Sequence, residues 1–240
     1  MSRDGVLNVT GLVKRFGGFS ALDGLSFHVA PGEILGLVGP NGSGKTTAIN
    51  VISGLYAPDG GIVSFDSALI GGMASHRLVH LGINRTFQVP KPFLSLTVRQ
   101  NVEVALAYGG RGRAIAIDDL LREYHLIDHA DRPAADLNSV QQKMLDLARA
   151  LATRPRLLLL DELAAGLNPT ELDWISAKIK ALAQAGTAII VVEHLMGFIE
   201  QVTDRVIVMN AGKEIFEGRL ADASKNSQVV EVFLGDERAA

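Results

Sequence analysis

Apolar and polar residues alternate along the first thirty positions of the chain, in the segments LNVTGLVKRF and ALDGLSFHVA. A period of two is typical of strands that bury one face, so we predict two antiparallel strands joined through Gly17 and Gly18. After Pro31 and Gly32, the continuous apolar run EILGLVG predicts a buried strand. The segment KTTAINVISGL beyond the next glycine-rich loop has helical spacing, which gives a strand, loop and helix unit.

The pattern changes along the rest of the chain. GIVSF and INRTFQ are predicted strands with a helix near SHRLVHLG between them, whereas residues 96–153 have helical spacing, interrupted by a glycine-rich loop at 109–113. Strands and helices alternate again in RLLLLDE, PTELDWISAKIKALAQAG and TAIIVVEH, and the chain ends with a hairpin turning at Ala211 and Gly212 and a short helix at SQVVEVFLG. We therefore predict an α/β fold with a mostly parallel sheet, an N-terminal antiparallel β subdomain and an inserted α-helical subdomain.

Composition excludes several classes of function. The 240 residues include 23 basic and 26 acidic side chains, and a net charge of −3 argues against nucleic acid as a partner. There are no cysteines, which excludes disulfides, thiolate metal sites and cysteine nucleophiles. The longest apolar runs fall short of the roughly 20 residues that cross a bilayer, and the start MSRDGVLN lacks the apolar core of a signal peptide. Any membrane role must therefore come through a partner.

The strongest motif is GPNGSGKTT, which fits the phosphate-loop pattern G-x-x-x-x-G-K-[ST] between a predicted strand and a predicted helix. Glycines let backbone N–H groups surround phosphates, and the helix N-terminus favours negative charge. Lys45 is expected to reach the outer phosphates of the ligand and Thr46 to ligate Mg²⁺. The predicted nucleotide-binding residues of this P-loop NTPase core are Gly39, Pro40, Asn41, Gly42, Ser43, Gly44, Lys45, Thr46 and Thr47.

Two carboxylates end the apolar run LLLLDE, at the strand terminus where α/β sheets place their ligands. We predict that Asp161 joins the Mg²⁺ shell and that Glu162 orients or deprotonates the attacking water. An acidic pair at the end of a strand is more often a solvated cap. The functional interpretation therefore depends on the phosphate loop upstream.

Two further strand ends contribute polar side chains to the same predicted site. Gln88, in RTFQ, carries an amide able to hold a metal ion or a water, and His194, in VVEH, could touch the γ-phosphate. Phe16, on the first hairpin, could stack on a purine, with a core position as the alternative.

Two further segments could bind a ligand, but their patterns are less specific than the motifs above. His125 and His129 lie four residues apart near Asp128 and Asp131, a spacing that could hold a metal ion on one helix face. We favour a solvated helix, because no third ligand is in register. The segment GGRGR at 109–113 is interpreted as an exposed loop rather than an RNA-binding segment.

Taken in order, these segments resemble the ATP-binding subunit of an ABC transporter over essentially the whole chain. The order includes the phosphate loop, Gln88, a helical insertion, a glutamine-bearing turn at 137–141, LLLLDE, AAGLNP and VVEH. The details RFGGFSALDGLSF, GINRTFQVPKPF and VVEVFLG look most like the subfamily that energises uptake of branched-chain amino acids, amides and urea. The resemblance implies a core of residues 1–95 and 154–240 and a helical insertion at 96–153.

In that family two ATP-binding subunits pair head to tail, and each ATP lies between one subunit's phosphate loop and the other's signature loop, usually L-S-G-G-Q. The resemblance implies that Asp161 holds magnesium, that Glu162 holds the hydrolytic water, and that Gln88 and His194 sense the γ-phosphate. The signature loop would be Leu137, Asn138, Ser139, Val140 and Gln141. The loop touching the partner's site would be Ala164, Ala165, Gly166, Leu167 and Asn168.

The signature loop departs from the family pattern. Asn138 replaces the serine, Ser139 and Val140 replace the two glycines, and Leu163 replaces the proline that usually follows the catalytic glutamate. Because a β-branched side chain disfavours positive φ, we expect Val140 to prevent close approach of backbone N–H groups to a phosphate. In a heterodimer, the site with this chain's phosphate loop would hydrolyse ATP and the opposite site would only bind it, or bind it weakly.

The implied partners are a second ATP-binding subunit, identical or different, and transmembrane permease subunits. A short cytoplasmic helix of a permease would enter a groove formed by the chain around residues 88–97 and the helices after it, and a substrate-binding protein would take part indirectly. The expected location is peripheral, at the cytoplasmic face of the cell membrane. One alternative is a soluble regulatory ABC-type ATPase, a class that usually has two ATPase halves or basic extensions. Another is a GTPase, which needs the sequence motif N-K-x-D, or a small-molecule kinase, which needs an arginine-rich lid.

Overall fold

The N-terminal part of the chain forms an antiparallel sheet. The computed structural model describes residues 6–109 and 115–237. The sheet has the order β2-β1-β4-β5, from β1 (Leu7–Phe16), β2 (Phe19–Val29), β4 (Gly60–Phe65) and β5 (Ala68–Leu69). The predicted hairpin is confirmed, since β1 and β2 pair around Gly17, whose φ is +58°. Sequence patterns did not predict the two-residue strand β5.

The second sheet has six strands in the order β10-β9-β3-β8-β7-β6 and is parallel except for the hairpin β9-β10. Its strands are β3 (Ile34–Val38), β6 (Ile83–Arg85), β7 (Leu157–Asp161), β8 (Ala188–Val192), β9 (Arg205–Asn210) and β10 (Lys213–Gly218). Strands β3, β7 and β8 are buried at every position, because helices or the first sheet cover both faces. The predicted mostly parallel sheet is confirmed.

Helices follow most of the predicted segments. They are α1 (Lys45–Ile52), α2 (Ser75–Leu81), α3 (Val98–Gly109), α4 (Ile117–Glu123), α5 (Ser139–Ala152), α6 (Pro169–Gln184), α7 (Met196–Val202), α8 (Leu220–Ala223) and α9 (Ser227–Glu237). The sequence patterns did not predict α7 and α8, which have seven and four residues. The division into a core and an insertion at 96–153 stays a prediction. Within the described ranges, no helix is long and apolar enough to cross a bilayer.

The hydrophobic core lies on both faces of the six-stranded sheet. Along β7, Leu157 and Leu159 pack with α1 and the antiparallel sheet, whereas Leu158 and Leu160 pack with the helices of residues 98–152 and with α6. Alternate side chains of a strand point to opposite faces, which explains why a continuous apolar run is needed here. This packing fixes the carboxyl ends of β3, β7 and β8 at one edge of the sheet.

Candidate functional site

The loop between β3 and α1 has a backbone that only glycine fits at two positions. Gly39 has φ +145°, and a Cβ there would lie 2.2 Å from the Met209 carbonyl oxygen. Gly44 is the N-cap of α1 with φ +106°, and a Cβ there would lie 2.6 Å from the Ala21 oxygen. No side chain caps α1, so its first N–H groups face the loop.

Lys45 is buried inside this loop, with 5% of its surface exposed. Its ammonium donates hydrogen bonds to the carbonyl oxygens of Gly39 at 2.8 Å and Pro40 at 2.9 Å, and to Ser43 Oγ at 3.4 Å. The positive charge therefore lies at the centre of the loop, where the helix N-terminus adds a favourable potential for an anion.

A cavity of about 380 Å³ opens over the loop and joins it to the predicted site at the strand ends. Its lining consists of Phe16, Phe19, Ala21, Asn41, Gly42, Gly44, Lys45, Thr46, Thr47, Gln88, Glu162 and His194. Gly39, Pro40, Ser43 and Asp161 are predicted site residues that do not line it. Phe16 is 43% exposed, which excludes the alternative of a core side chain, and Phe19, 61% exposed, was not predicted from the sequence.

Two other predicted residues, Gln88 and His194, meet the side chain of Glu162, just after β7. Its carboxylate accepts a hydrogen bond from Gln88 Nε2 at 2.7 Å and lies 3.1 Å from His194 Nε2. Strand β6 ends at Arg85, so Gln88 reaches this position from the loop beyond the strand rather than from its end. The structure thus brings Gln88, Glu162 and His194 together beside the phosphate loop.

Asp161, the last residue of β7, is 2% exposed. Its Oδ2 accepts a hydrogen bond from Arg85 Nη2 at 3.1 Å, and its Oδ1 has no hydrogen-bond partner among the residues described. Burial raises the pKa of this carboxyl, and the Arg85 guanidinium opposes that effect. The Arg85 guanidinium also donates hydrogen bonds to Asn50 of α1 and to Ser53, the C-cap of that helix. Arg85 was not predicted as a site residue from the sequence. The feature that could have indicated it is a charged residue within a predicted strand.

The predicted signature loop is not a loop over its whole length. Asn138 is the N-cap of α5, and Ser139 and Val140 form the first helical turn, without positive φ. The expectation that Val140 acts by disfavouring positive φ is therefore wrong, because the helical backbone suits valine. Instead, Asn138 Oδ1 accepts from the Gln141 N–H at 2.9 Å, and Gln141 Oε1 accepts from the Asn138 N–H at 3.0 Å. Leu137 is buried in the core.

The predicted partner-touching loop lies beside this helix end. Leu167 lines a second cavity, of about 490 Å³, together with Asn138, Ser139, Val140 and Gln141. Its other lining residues are Tyr124, His125, Met144, Thr170, Glu171 and Trp174. Gly166 is exposed with φ +82°, and Asn168 is the N-cap of α6. Ala164 is buried, Ala165 is exposed, and the two predicted loops therefore share one surface region.

The histidine pair at 125 and 129 does not lie on one helix. Helix α4 ends at Glu123, and His125 has φ +56°. The His125 ring contacts the Trp174 ring at a tilt of 49°, with centroids 4.8 Å apart, and His129 Nε2 lies 2.8 Å from Gln141 Nε2. The expected solvated helix is therefore wrong, because a left-handed residue and a 3₁₀ turn break the chain's course. No group of three acidic or histidine side chains in the described residues could hold a metal ion. In GGRGR, residues 110–113 lie outside the described ranges.

Together, the parallel sheet, the glycine loop and the acidic strand end define a P-loop nucleotide-binding protein. The family model described as "ABC transporter" matches residues 22–165. The chain is 34% identical to the branched-chain amino acid transport ATP-binding protein BraF of Pseudomonas aeruginosa, over 98% of this chain and 100% of that protein. It is 36% identical to the probable ATP-binding protein LivG of Archaeoglobus fulgidus, over 96% of this chain and 95% of that one.

Solved structures agree with these sequence relatives. A nucleotide-free ATP-binding cassette from an ABC transporter has a TM-score of 0.86 and 31% identity, over 95% of this chain and 98% of that one. The ADP conformation of another cassette has a TM-score of 0.85 and 32% identity, over 96% and 98%. The chain belongs to the ABC transporter family, and the predicted ABC-type ATPase is confirmed.

Proposed function

We propose that this chain is the ATP-hydrolysing motor subunit of an importer for branched-chain amino acids or related small amides. The relatives named above support the substrate class. The observation that carries the proposal is the meeting of Gln88, Glu162 and His194 at the rim of the phosphate-loop cavity. These contacts hold the Glu162 carboxylate beside the phosphate loop, where it could orient or deprotonate a water that attacks the γ-phosphate.

Magnesium would be held by Thr46, Gln88 and Asp161. The residues fit a hard cation, because they supply a hydroxyl, an amide oxygen and a carboxylate, and because the buried Asp161 Oδ1 has no hydrogen-bond partner in the described part of the chain. When bound, the ion would neutralise charge on the phosphates. Lys45 would bind the outer phosphates, and the Phe16 ring at the cavity rim would stack on the adenine.

A second ATP-binding subunit would complete the site. The N-terminus of α5 and the loop at 164–168 would face the partner's nucleotide. Asn138 already occupies a donor of that helix end, so the signature surface would bind a phosphate weakly. In a heterodimer only the site with this chain's phosphate loop and an intact partner signature would turn over; in a homodimer both sites would be slow.

Permease subunits would dock on a groove of about 600 Å³ between α2, α3 and α5. Phe87, just before Gln88, and Phe93, in the segment after it, contribute to its walls. Val89 and Leu94 of this segment and Tyr108 of α3 expose 69%, 53% and 78% of their surface, an apolar exposure that is typical of a surface covered by a partner. A short amphipathic helix of a permease fits this apolar groove. The chain would then lie at the cytoplasmic face of the membrane, with a substrate-binding protein acting on the other side.

The test uses the assembled complex with its permeases and second ATP-binding subunit. Glu162→Gln is expected to abolish ATP turnover while ATP binding persists, because the amide cannot take a proton from water. Val140→Gly is expected to change turnover little, because position 140 serves the other site. Wild-type turnover in Glu162→Gln would refute the proposed role, and a large rise in turnover with Val140→Gly would refute the asymmetry.

A further inference from the structure

Lys143, one turn into α5, connects that helix to the loop that carries Glu162. Its ammonium donates hydrogen bonds to the carbonyl oxygens of Glu162 at 2.8 Å and Ala165 at 2.6 Å, with the Leu163 oxygen at 3.4 Å. An ammonium offers three donors, so three carbonyls of one tight loop can point at a single cation. The side chain does not line the phosphate-loop cavity.

The loop after β7 needs stabilising hydrogen bonds because its backbone adopts a rarely populated conformation at Glu162. Glu162 has φ +51°, in the left-handed region that non-glycine residues seldom adopt. On one side its N–H donates to the Val192 oxygen of β8 at 2.9 Å, and on the other its carbonyl accepts from Lys143. The direction in which the Glu162 carboxylate leaves the backbone is therefore fixed by one sheet bond and one lysine bond.

A buried acid completes the arrangement from the opposite side. Glu193, 2% exposed, accepts a hydrogen bond from the Ala164 N–H at 2.6 Å. The loop thus directs its carbonyl oxygens at the Lys143 ammonium and the Ala164 N–H at the Glu193 carboxylate. The charges of Lys143 and Glu193 attract each other. Glu193 also precedes His194, so this network adjoins one of the two side chains, His194 and Gln88, that contact the Glu162 carboxylate.

We propose that Lys143 is a positioning residue for the Glu162 carboxylate: it holds the left-handed backbone that aims this carboxylate at the γ-phosphate side of the cavity. The inference rests on the proposed function, because it takes Glu162 as the group that acts on water. Lys143 does not line the phosphate-loop cavity, so its loss should affect the chemical step and leave ATP binding intact.

The test compares Lys143→Met, Lys143→Gln and a matched control, Lys178→Met, in the assembled complex. Lys178 bears the same ammonium on α6, where it pairs with Glu123 at 2.9 Å. We expect Lys143→Met to lower kcat about 10- to 100-fold with the KM for ATP within about twofold of wild type, because a misaimed group costs rate rather than binding. Lys143→Gln keeps two N–H donors and should lie between Met and wild type. Lys178→Met should match wild type.

The outcomes separate this inference from the function on which it rests. If Glu162→Gln keeps full turnover, the proposed function fails. If Glu162→Gln abolishes turnover and Lys143→Met stays within twofold of wild type, only the positioning role fails. Should Lys143→Met not fold, Lys143→Gln decides: a lowered kcat at unchanged KM supports the role, and wild-type kcat or a parallel rise in KM overturns it.

Discussion

The starts of helices α1 and α5 are built in opposite ways, although both were predicted to face ATP phosphates. Helix α1 begins after Gly44, whose φ is +106°, and no side chain caps it. Helix α5 begins after Asn138, whose side chain and that of Gln141 cap each other's backbone N–H groups. Helix α1 leaves its first donors to a ligand, whereas α5 satisfies two backbone N–H groups, those of Asn138 and Gln141, with its own side chains.

We propose that this difference separates a helix start that binds this chain's own nucleotide from one that is presented to a partner's nucleotide. An anion at the start of α1 meets open N–H groups and the Lys45 ammonium. An anion at the start of α5 has to compete with the Asn138 oxygen, which lies 2.9 Å from the Gln141 nitrogen. We propose that any weaker phosphate binding at this second helix start comes from the capping, because the backbone at Val140 has no positive φ.

Gly44→Ala should have the largest effect on stability. Alanine at φ +106° is strained, and its Cβ would meet the Ala21 oxygen at 2.6 Å, so we expect a loss of about 3 to 4 kcal/mol in the free energy of unfolding. Gly42→Ala is the control, since Gly42 has φ +77° but nothing within 4 Å of the added Cβ, and it should lose about 1 kcal/mol. Urea denaturation gives both values, and equal losses would contradict this account of α1.

Glu193→Gln tests the buried acid that directly follows β8 through the pH dependence of stability. Burial raises the pKa of Glu193 from 4.5 to about 7, so the unfolded chain loses this proton at lower pH than the folded chain. Wild-type stability should therefore fall as pH rises from about 4.5 to about 7, by up to about 3 kcal/mol. The glutamine variant escapes this loss and keeps an acceptor for Ala164. Urea denaturation at pH 5 and pH 8 should show an advantage for the variant that is much larger at pH 8; a constant difference would refute the prediction.

Asn138→Ala should have the smallest effect, about 1 kcal/mol of unfolding free energy, because one side-chain cap is lost and the helix start stays in place. Asn168→Ala is a matched control, since Asn168 and Glu171 form the same reciprocal cap on α6. Thermal unfolding should show similar shifts for both variants. A negligible loss at 138 with a normal loss at 168 would mean that the cap on α5 contributes nothing.

The sequence predicted well which loop and which strand end carry the candidate site residues, because apolar runs and glycine spacing are local signals. GPNGSGKTT lies between a buried strand and a helix, and LLLLDE places Asp161 and Glu162 at a strand end beside it. The roles of these residues stay predictions. The short elements α7, α8 and β5 escaped detection because two to seven residues carry too little periodicity.

The sequence could not predict contacts that join distant segments. Arg85 pairs with Asp161 across 76 positions, and Lys143 reaches the loop at 162–165 only because α5 packs beside β7. The start of α5 was misjudged for another reason: an alignment with a glycine-rich signature suggested a loop, whereas Asn138 and Gln141 at positions i and i+3 form a helix cap.

The most direct test is a calorimetric titration of a non-hydrolysable ATP analogue into the wild-type chain, Lys45→Ala and Asn138→Ala. The account predicts that Lys45→Ala weakens binding about 10- to 100-fold, because a charge-assisted contact to phosphate is lost. Asn138→Ala should bind within about twofold of wild type. Wild-type affinity in Lys45→Ala, or an equal loss in Asn138→Ala, would contradict the claim that this chain holds its own nucleotide at α1 and offers α5 to another.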